Sequence, residues 1–186
     1  MIILGSSSPR RIKMIEELNV PFKIIKPIFD EKSIPSSSKH LAMLESYNKA
    51  ISIKNLAEHQ DCIITCDTIV TYKDKVFGKP IDKNDAFNTL KFLSNKTHKV
   101  ITGYTIIYKE SIIKKEVETE VTFNNLSDDF IWNYINGVNV MDKAGSYAIQ
   151  DNEKFPIIKG IKGSLNNVIG FPIEEIKKDL VLLHII

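Results

Sequence analysis

The chain has 186 residues, 43% of them hydrophobic, enough to bury one sizeable core in a single domain or in two closely packed lobes. Its 25 Lys and Arg against 23 Asp and Glu leave a formal net charge of +2. That lacks the basic excess that phosphate-backbone binding to nucleic acid demands, so any anion site must be local. Met1 opens straight into the first apolar run without a leader pattern, and no run approaches the length of a membrane span; a soluble, cytoplasmic protein with no nucleic-acid or membrane partner is expected. Cys62 and Cys66, four apart in an apolar run, match neither a redox pair nor a zinc pattern and read as reduced, buried thiols.

In chain order, Met1-Ile2-Ile3 is a short apolar strand that leads into Leu4-Gly5-Ser6-Ser7-Ser8-Pro9-Arg10-Arg11. Ser8 suits a helix N-cap and Pro9 the first helical position, so backbone N–H groups and the positive end of the helix should face the serine hydroxyls. Arg10 and Arg11 add planar cations on the first turn, suited to phosphate oxygens. Residues 22–26 read as a second strand. A polar loop with Asp30, Glu31 and Ser36 to Ser38 follows, then a helix over about residues 39–58 with Leu41, Leu44 and Ile51 on one side. Lys49 lies on another flank, at helical spacing from Glu45 and Ile53. The run 62–66 is too apolar for a surface strand; Asp67-Thr68 ends it and Ile69 to Tyr72 resumes it. A carboxylate at the edge of a buried strand is costly unless used or paired.

Lys73-Asp74-Lys75 reads as a hairpin tip, and Gly78-Lys79-Pro80 as a turn before a helix capped by Asp82, with Phe87, Leu90 and Leu93 inward. Two strands, about 100–108 and 113–123, form a hairpin around Lys109-Glu110-Ser111. Ser127-Asp128-Asp129 starts another helix. Beyond Gly137 the pattern is irregular, through 142–150, a charged loop, 155–161 and 163–170, until a final helix from Pro172. Hairpins alongside crossovers predict an α/β fold around a mixed central sheet.

Ser6 to Arg11, Glu31, Asp67, Lys79 and Gln150 all fall at element ends, where binding groups collect. The four histidines, at 40, 59, 98 and 184, make no zinc spacing, and acids and lysines without a His or Ser partner argue against a Ser-His-Asp hydrolase. Two carboxylates sharing a hard divalent ion with phosphate oxygens, beside Arg and Lys, fit phosphate chemistry best. Each residue also has an ordinary reading: Glu31 as a solvated loop acid, Lys49 as a helix-flank lysine, Lys79 as a turn lysine, Gln150 as a partner for a backbone group.

Five segments in order resemble the Maf family of nucleotide pyrophosphatases, the septum-formation-related proteins. They are residues 4–11; Lys49-Ala50; Asp67-Thr68 with Gly78-Lys79-Pro80; Thr97-His98 with Thr102-Gly103; and 142–150 with 163–172. The resemblance implies a single domain over 1–186, elongated and two-lobed like inosine triphosphate pyrophosphatases. It implies hydrolysis of a nucleoside triphosphate to monophosphate and pyrophosphate with a divalent metal, Mg²⁺ or Mn²⁺, and a homodimer. By the same resemblance Asp67 is the catalytic base, with Lys49 and Lys79 in the catalytic pocket, and Glu31 and Asp67 hold the metal. Ser6 and Arg11 line the substrate pocket, while Arg10, Thr68 and Gln150 are tied to base selection. Tyr147-Ala148-Ile149-Gln150 resembles the branch acting on dTTP and UTP; a branch for methylated GTP and a regulator of cell division without turnover are the alternatives. Two departures stand out: Gly5 where alanine is usual, and Asp151 and Glu153, which add acids after Gln150.

Overall fold

A computed structural model describes residues 1–30, 33–37 and 39–186. In chain order the elements are β1 (Ile2–Gly5), α1 (Pro9–Glu16), β2 (Phe22–Ile24), α2 (Leu41–Ile53), β3 (Cys62–Tyr72), β4 (Lys75–Phe77) and α3 (Lys83–Leu93). There follow β5 (Thr97–Tyr108), β6 (Ser111–Phe123), α4 (Asp128–Gly137), β7 (Ile158–Lys162), α5 (Leu165–Ile169) and α6 (Ile173–Leu182). The strands form one mixed sheet in the order β2-β1-β3-β5-β6-β7, with β4 also paired to β3, the α/β architecture expected. β1 runs parallel to both neighbours, Ile2 pairing with Phe22 on one side and Cys62 on the other. β4 is antiparallel to β3, and β6 to β7, where the register shifts between Thr122 and Phe123.

The chain divides into two compact units. The first comprises Met1–Thr68, Thr102–Val117 and Ile169–Ile186. Strand alternation sorts its apolar residues onto two sheet faces. Ile2, Leu4, Ile64 and Cys66 pack with Met14 and Ile15 of α1 and with Ile173, Ile176 and Leu180 of α6. Ile3 and Ile63 pack with Ala50 and Ile53 of α2 and Ile107 of β5. Each such aliphatic side chain contributes roughly 1.5–3 kcal/mol on burial. α2 lies directly on the β5 backbone at Gly103, where a Cβ would stand 2.2 Å from the carbonyl carbon of Ala42; only glycine admits that approach.

The second unit comprises Ile69–Ile101 and Glu118–Val168. Its core joins Val70, Phe77, Val100 and Phe123 of the strands to Leu90 and Leu93 of α3 and Ile131 and Tyr134 of α4. Asp82 caps α3, accepting from the Asp85 N–H at 2.8 Å, as its position in sequence implies. Ser127 does the same for α4, accepting from Phe130 N–H at 3.2 Å. The rings of Phe87 and Trp132 stack at 4.8 Å.

Several boundaries differ from the sequence pattern. β3 is one continuous strand through Asp67 and Thr68, because both residues keep their ladder positions while their side chains find polar partners. α2 stops at Ile53, and a 3₁₀ turn, Lys54–Leu56, completes it. Ile51 is 41% exposed while Glu45 and Ser46 are buried; an apolar pattern alone cannot identify an inward polar face. β5 begins at Thr97, and the irregular stretch after Phe155 contains β7. Cys62 and Cys66 are free and buried as expected, and burial pushes both thiols up to about 12.

Candidate active site

β1 ends at Gly5, which pairs with Thr65, whereas β3 runs on to Tyr72. Residues of β3 beyond Thr65 therefore lie past the carboxyl end of a parallel neighbour, where open α/β sheets present ligand-binding groups. Gly5 has its own local reason: a Cβ would meet the Thr65 methyl at 2.5 Å and Ile53 at 2.8 Å. After it, the loop turns on Ser6, whose hydroxyl accepts from the Ser8 N–H at 3.1 Å. Pro9 opens α1 as expected, but Ser8 makes no side-chain cap bond. Ser6, buried at 5% exposure, is the hydroxyl that holds the turn.

Asp67 and Thr68 are consecutive strand residues, so they project to opposite faces of the sheet. On the α2 face, Asp67 is buried at 8% exposure and forms an ion pair with Lys49 Nζ. Burial by itself would raise the Asp67 carboxyl; the Lys49 charge, a hydrogen bond with the Glu45 side chain and the Arg11 charge outweigh it and hold the group below its ordinary value. Asp67 is therefore a carboxylate at neutral pH. Glu45 and Lys49 stand one helical turn apart on α2, the spacing that stacks side chains.

Hydroxyls fix the position of α2. Thr65 Oγ1 donates to the Ser46 carbonyl at 2.7 Å, and the Ser46 hydroxyl lies 2.9 Å from that of Thr105. With the Gly103 contact, these bonds hold Glu45 and Lys49 over Asp67. Nothing in the sequence pattern marks Glu45 as a site residue. Its spacing from Lys49 is helical, but only the structure shows that this flank faces the sheet.

On the opposite face, Arg11 reaches Thr68. Arg11 Nε donates to the Gly170 carbonyl at 2.8 Å, and Nη2 donates to Thr68 Oγ1 at 3.1 Å. The Thr68 hydroxyl also lies 2.9 Å from that of Thr102, which is fully buried. Gly170 has φ +104, and a Cβ there would stand 3.0 Å from Thr68 Oγ1; glycine is needed for backbone and space alike. Two of Arg11's donors are thus committed within the fold. Arg10, its neighbour, is half-buried on α1.

Lys79 and Gln150 belong to the second unit and are exposed. Lys79 follows Gly78, whose carbonyl accepts from the Gly145 N–H at 3.0 Å. Gln150 sits in a 3₁₀ turn, Ile149–Asp151. The acids after Gln150 have separate fates. Asp151 accepts from Tyr134 Oη at 2.7 Å and from Lys143 Nζ at 3.1 Å, so it serves the local structure, whereas Glu153 is exposed. Glu31 lies outside the described residues. The structure thus brings Arg11, Lys49, Asp67 and Thr68 together around one strand.

Among the described residues, no group of three or more His, Cys, Asp and Glu side chains stands ready for a metal ion. The donors that exist are hard: Asp67 is an anionic oxygen ligand with Glu45 in contact, a chemistry that fits Mg²⁺ or Mn²⁺ and not a thiolate- or imidazole-preferring metal. No helix among the described residues is long and apolar enough to cross a membrane.

Comparison with known proteins adds a family match: the model described as Maf-like protein matches residues 1–182. A protein of Thermosipho africanus (strain TCF52B) named dTTP/UTP pyrophosphatase is 42% identical over 175 residues, 94% of this chain and 89% of that one. One of Thermosipho melanesiensis with the same name is 43% identical, covering 94% of this chain and 93% of its own. A third, from Chlamydia felis, is 36% identical over 94% of this chain and 90% of that protein. Among solved structures, a HAM1 protein from Coxiella burnetii aligns with a TM-score of 0.50 at 13% identity, over 97% of this chain and 98% of that one. That likeness concerns the fold alone.

Proposed function

We propose that this chain, which belongs to the Maf family, hydrolyses dTTP and UTP to the nucleoside monophosphate and pyrophosphate. Support comes from the relatives that carry that name over 94% of the chain and from one structural observation. An ionised, buried Asp67 contacts Lys49 and Glu45 on β3 just past the carboxyl end of its parallel neighbour β1. Water attacks the α-phosphorus, the bond to the bridging oxygen breaks, and pyrophosphate leaves. Asp67 takes the proton of the attacking water; being held below the ordinary carboxylate range, it is free of a proton at working pH. Lys49 orients Asp67 and contributes positive charge where the transferred group develops negative charge.

The remaining expected residues have proposed places in the same scheme. Lys79 is a second cation for the triphosphate, and Ser6 and Arg11 shape the pocket wall. Arg10, Thr68 and Gln150 select the base. A divalent cation, Mg²⁺ or Mn²⁺, would be held by Asp67 with Glu31. When bound, it supplies polarisation of a phosphoryl oxygen. We place the enzyme in the cytoplasm, where reduced Cys62 and Cys66 fit, and expect a homodimer.

The test is pyrophosphate release from a panel of UTP, dTTP and 7-methyl-GTP, with Mg²⁺, with Mn²⁺ and after chelation. The reading expects turnover of UTP and dTTP that chelation abolishes. Preference for 7-methyl-GTP would move the substrate to a purine, and tight nucleotide binding without pyrophosphate release would make the chain a nucleotide-binding regulator.

A further inference from the structure

α2, the helix that carries Glu45 and Lys49, has no N-cap of its own. His40 precedes it with φ 58 and makes no side-chain cap bond, and the first turn holds no acid. The unpaired N–H groups and positive end of a helix call for an acceptor, and β6 supplies one. Glu116 accepts from the Met43 N–H at 3.1 Å, and its other carboxylate oxygen stands 2.7 Å from His40 Nδ1. Two residues back, on the same face of β6, the Lys114 ammonium lies over the Tyr47 ring at 4.5 Å. Met43 and Tyr47 are one helical turn apart, so β6 grips one flank of α2 at two points.

We propose that Glu116 is a positioning residue for the reaction, capping α2 from β6 so that Lys49 stays on Asp67. The inference rests on the catalytic reading of Asp67 and Lys49 above. Met43 and Glu45, like Tyr47 and Lys49, are two residues apart and so stand about 200° apart around the helix. The flank held by β6 is therefore opposite the flank that faces the carboxylate. The sheet has the same order: β5 lies between β3 and β6, and α2 rests on β5 at Gly103. One side of the helix is tied to β6 while the other pairs with Asp67 on β3. The Gly103 contact fixes the height of the helix, and contacts on its flanks fix its rotation about its axis. Releasing Met43 from Glu116 lets α2 roll and carries the Lys49 ammonium off Asp67.

The experiment combines a double-mutant cycle with a readout that needs no turnover. Glu116→Leu should lower kcat for UTP about tenfold with KM nearly constant, and Glu116→Gln, which keeps an acceptor for Met43, should recover most of that loss. In a Lys49→Met background Glu116→Leu should cost less than about twofold more, because the two residues act as a unit. The second readout is trace acetylation of lysines by acetic anhydride, followed by mass spectrometry. Lys49 and Lys143 have side chains 13% and 10% exposed, each in an ion pair with an aspartate, so Lys143 is the internal control. Glu116→Leu should raise the Lys49:Lys143 labelling ratio about fivefold, and Glu116→Gln should leave it near wild type. Should Glu116→Leu not fold, Glu116→Thr suits a strand and is too short to reach Met43, and the same quantities are read. Equal losses in both backgrounds, or acetylation that rises alike at Lys49 and Lys143, would show a purely structural residue and overturn the inference. So would a Glu116→Leu protein with wild-type kcat and labelling. A wild type that turns over no triphosphate would overturn the pyrophosphatase reading, and the labelling ratio would still decide whether Glu116 holds Lys49 in place.

Discussion

The two units both bury polar side chains against the sheet, yet the first packs an aspartate–lysine ion pair there and the second a histidine–tyrosine pair. In the first, Asp67 and Lys49 are an ion pair with Glu45 alongside. In the second, His98 is 1% exposed, its Nε2 lies 2.8 Å from Tyr147 Oη, and its ring meets Phe123 edge-on at 4.6 Å. Burial lowers His98 to about 4, so that pair is neutral at pH 7. A neutral buried pair costs little beyond desolvation and adds packing. A buried ion pair is a poor way to gain stability, since apolar residues of similar volume often do as well or better. The ion pair lies just past the carboxyl end of β1, where open α/β sheets bind ligands, and suits the catalytic role proposed for it; the His98 pair suits architecture.

The contrast is broken most sharply at Lys49. Lys49→Met should lower kcat for UTP by roughly a hundredfold, with the circular-dichroism spectrum unchanged. Retained turnover would mean that the ion pair is structural after all. Glu45 is the next test. Glu45→Leu removes the group that hydrogen-bonds Asp67 and should lower kcat about tenfold with KM nearly constant, whereas Glu45→Gln keeps a donor and should recover most of it. Equal behaviour of the two variants would remove Glu45 from the site.

On the neutral side the expected effects are on stability. Unfolded His98 titrates near its ordinary value of 6.5 and the folded residue at about 4. Below pH 6.5 the unfolded chain takes up the proton and the folded chain does not, so stability falls as pH drops from about 6.5 to about 4. The loss is roughly 3 kcal/mol in all, read by urea unfolding at a series of pH values. His98→Phe should abolish that part of the slope and leave kcat at pH 7 unaltered. A smaller effect separates buried charge in general from buried charge in the site. Asp179, 2% exposed, accepts from Tyr104 Oη at 2.7 Å and pairs with Lys115 at 2.6 Å. Since Lys115 is half exposed, Asp179→Asn should cost about 2 kcal/mol by denaturation, with turnover intact. Lost turnover in this variant would mean that buried charge away from Asp67 also serves the reaction.

Much of the fold was legible because local chemistry was strong. Asp82 and Ser127 cap the helices they precede, and the unbroken apolar run 62–66 marks a strand whose two faces are both covered. Asp67 stood out because a carboxylate ends that apolar run. What sequence could not supply was the direction of α2. Apolar periodicity favoured Ile51 as an inward residue, whereas Ser46, Thr65 and Gly103 turn the helix so that Glu45 and Lys49 face the sheet. Nor could it show that Arg11 is committed to Gly170 and Thr68, because those partners are 159 and 57 residues away. Asp151 looked like an added acid near a base pocket and proves to be held by Tyr134 and Lys143, a pairing set by tertiary contact.

The central claim is that the buried charge on Asp67 is kept for catalysis, and Asp67→Asn tests it most directly because the side chain keeps its shape and loses its charge. Pyrophosphate release from UTP should fall about a thousandfold, with a cooperative melting transition retained. An Asp67→Asn protein that releases pyrophosphate at the wild-type rate would contradict it.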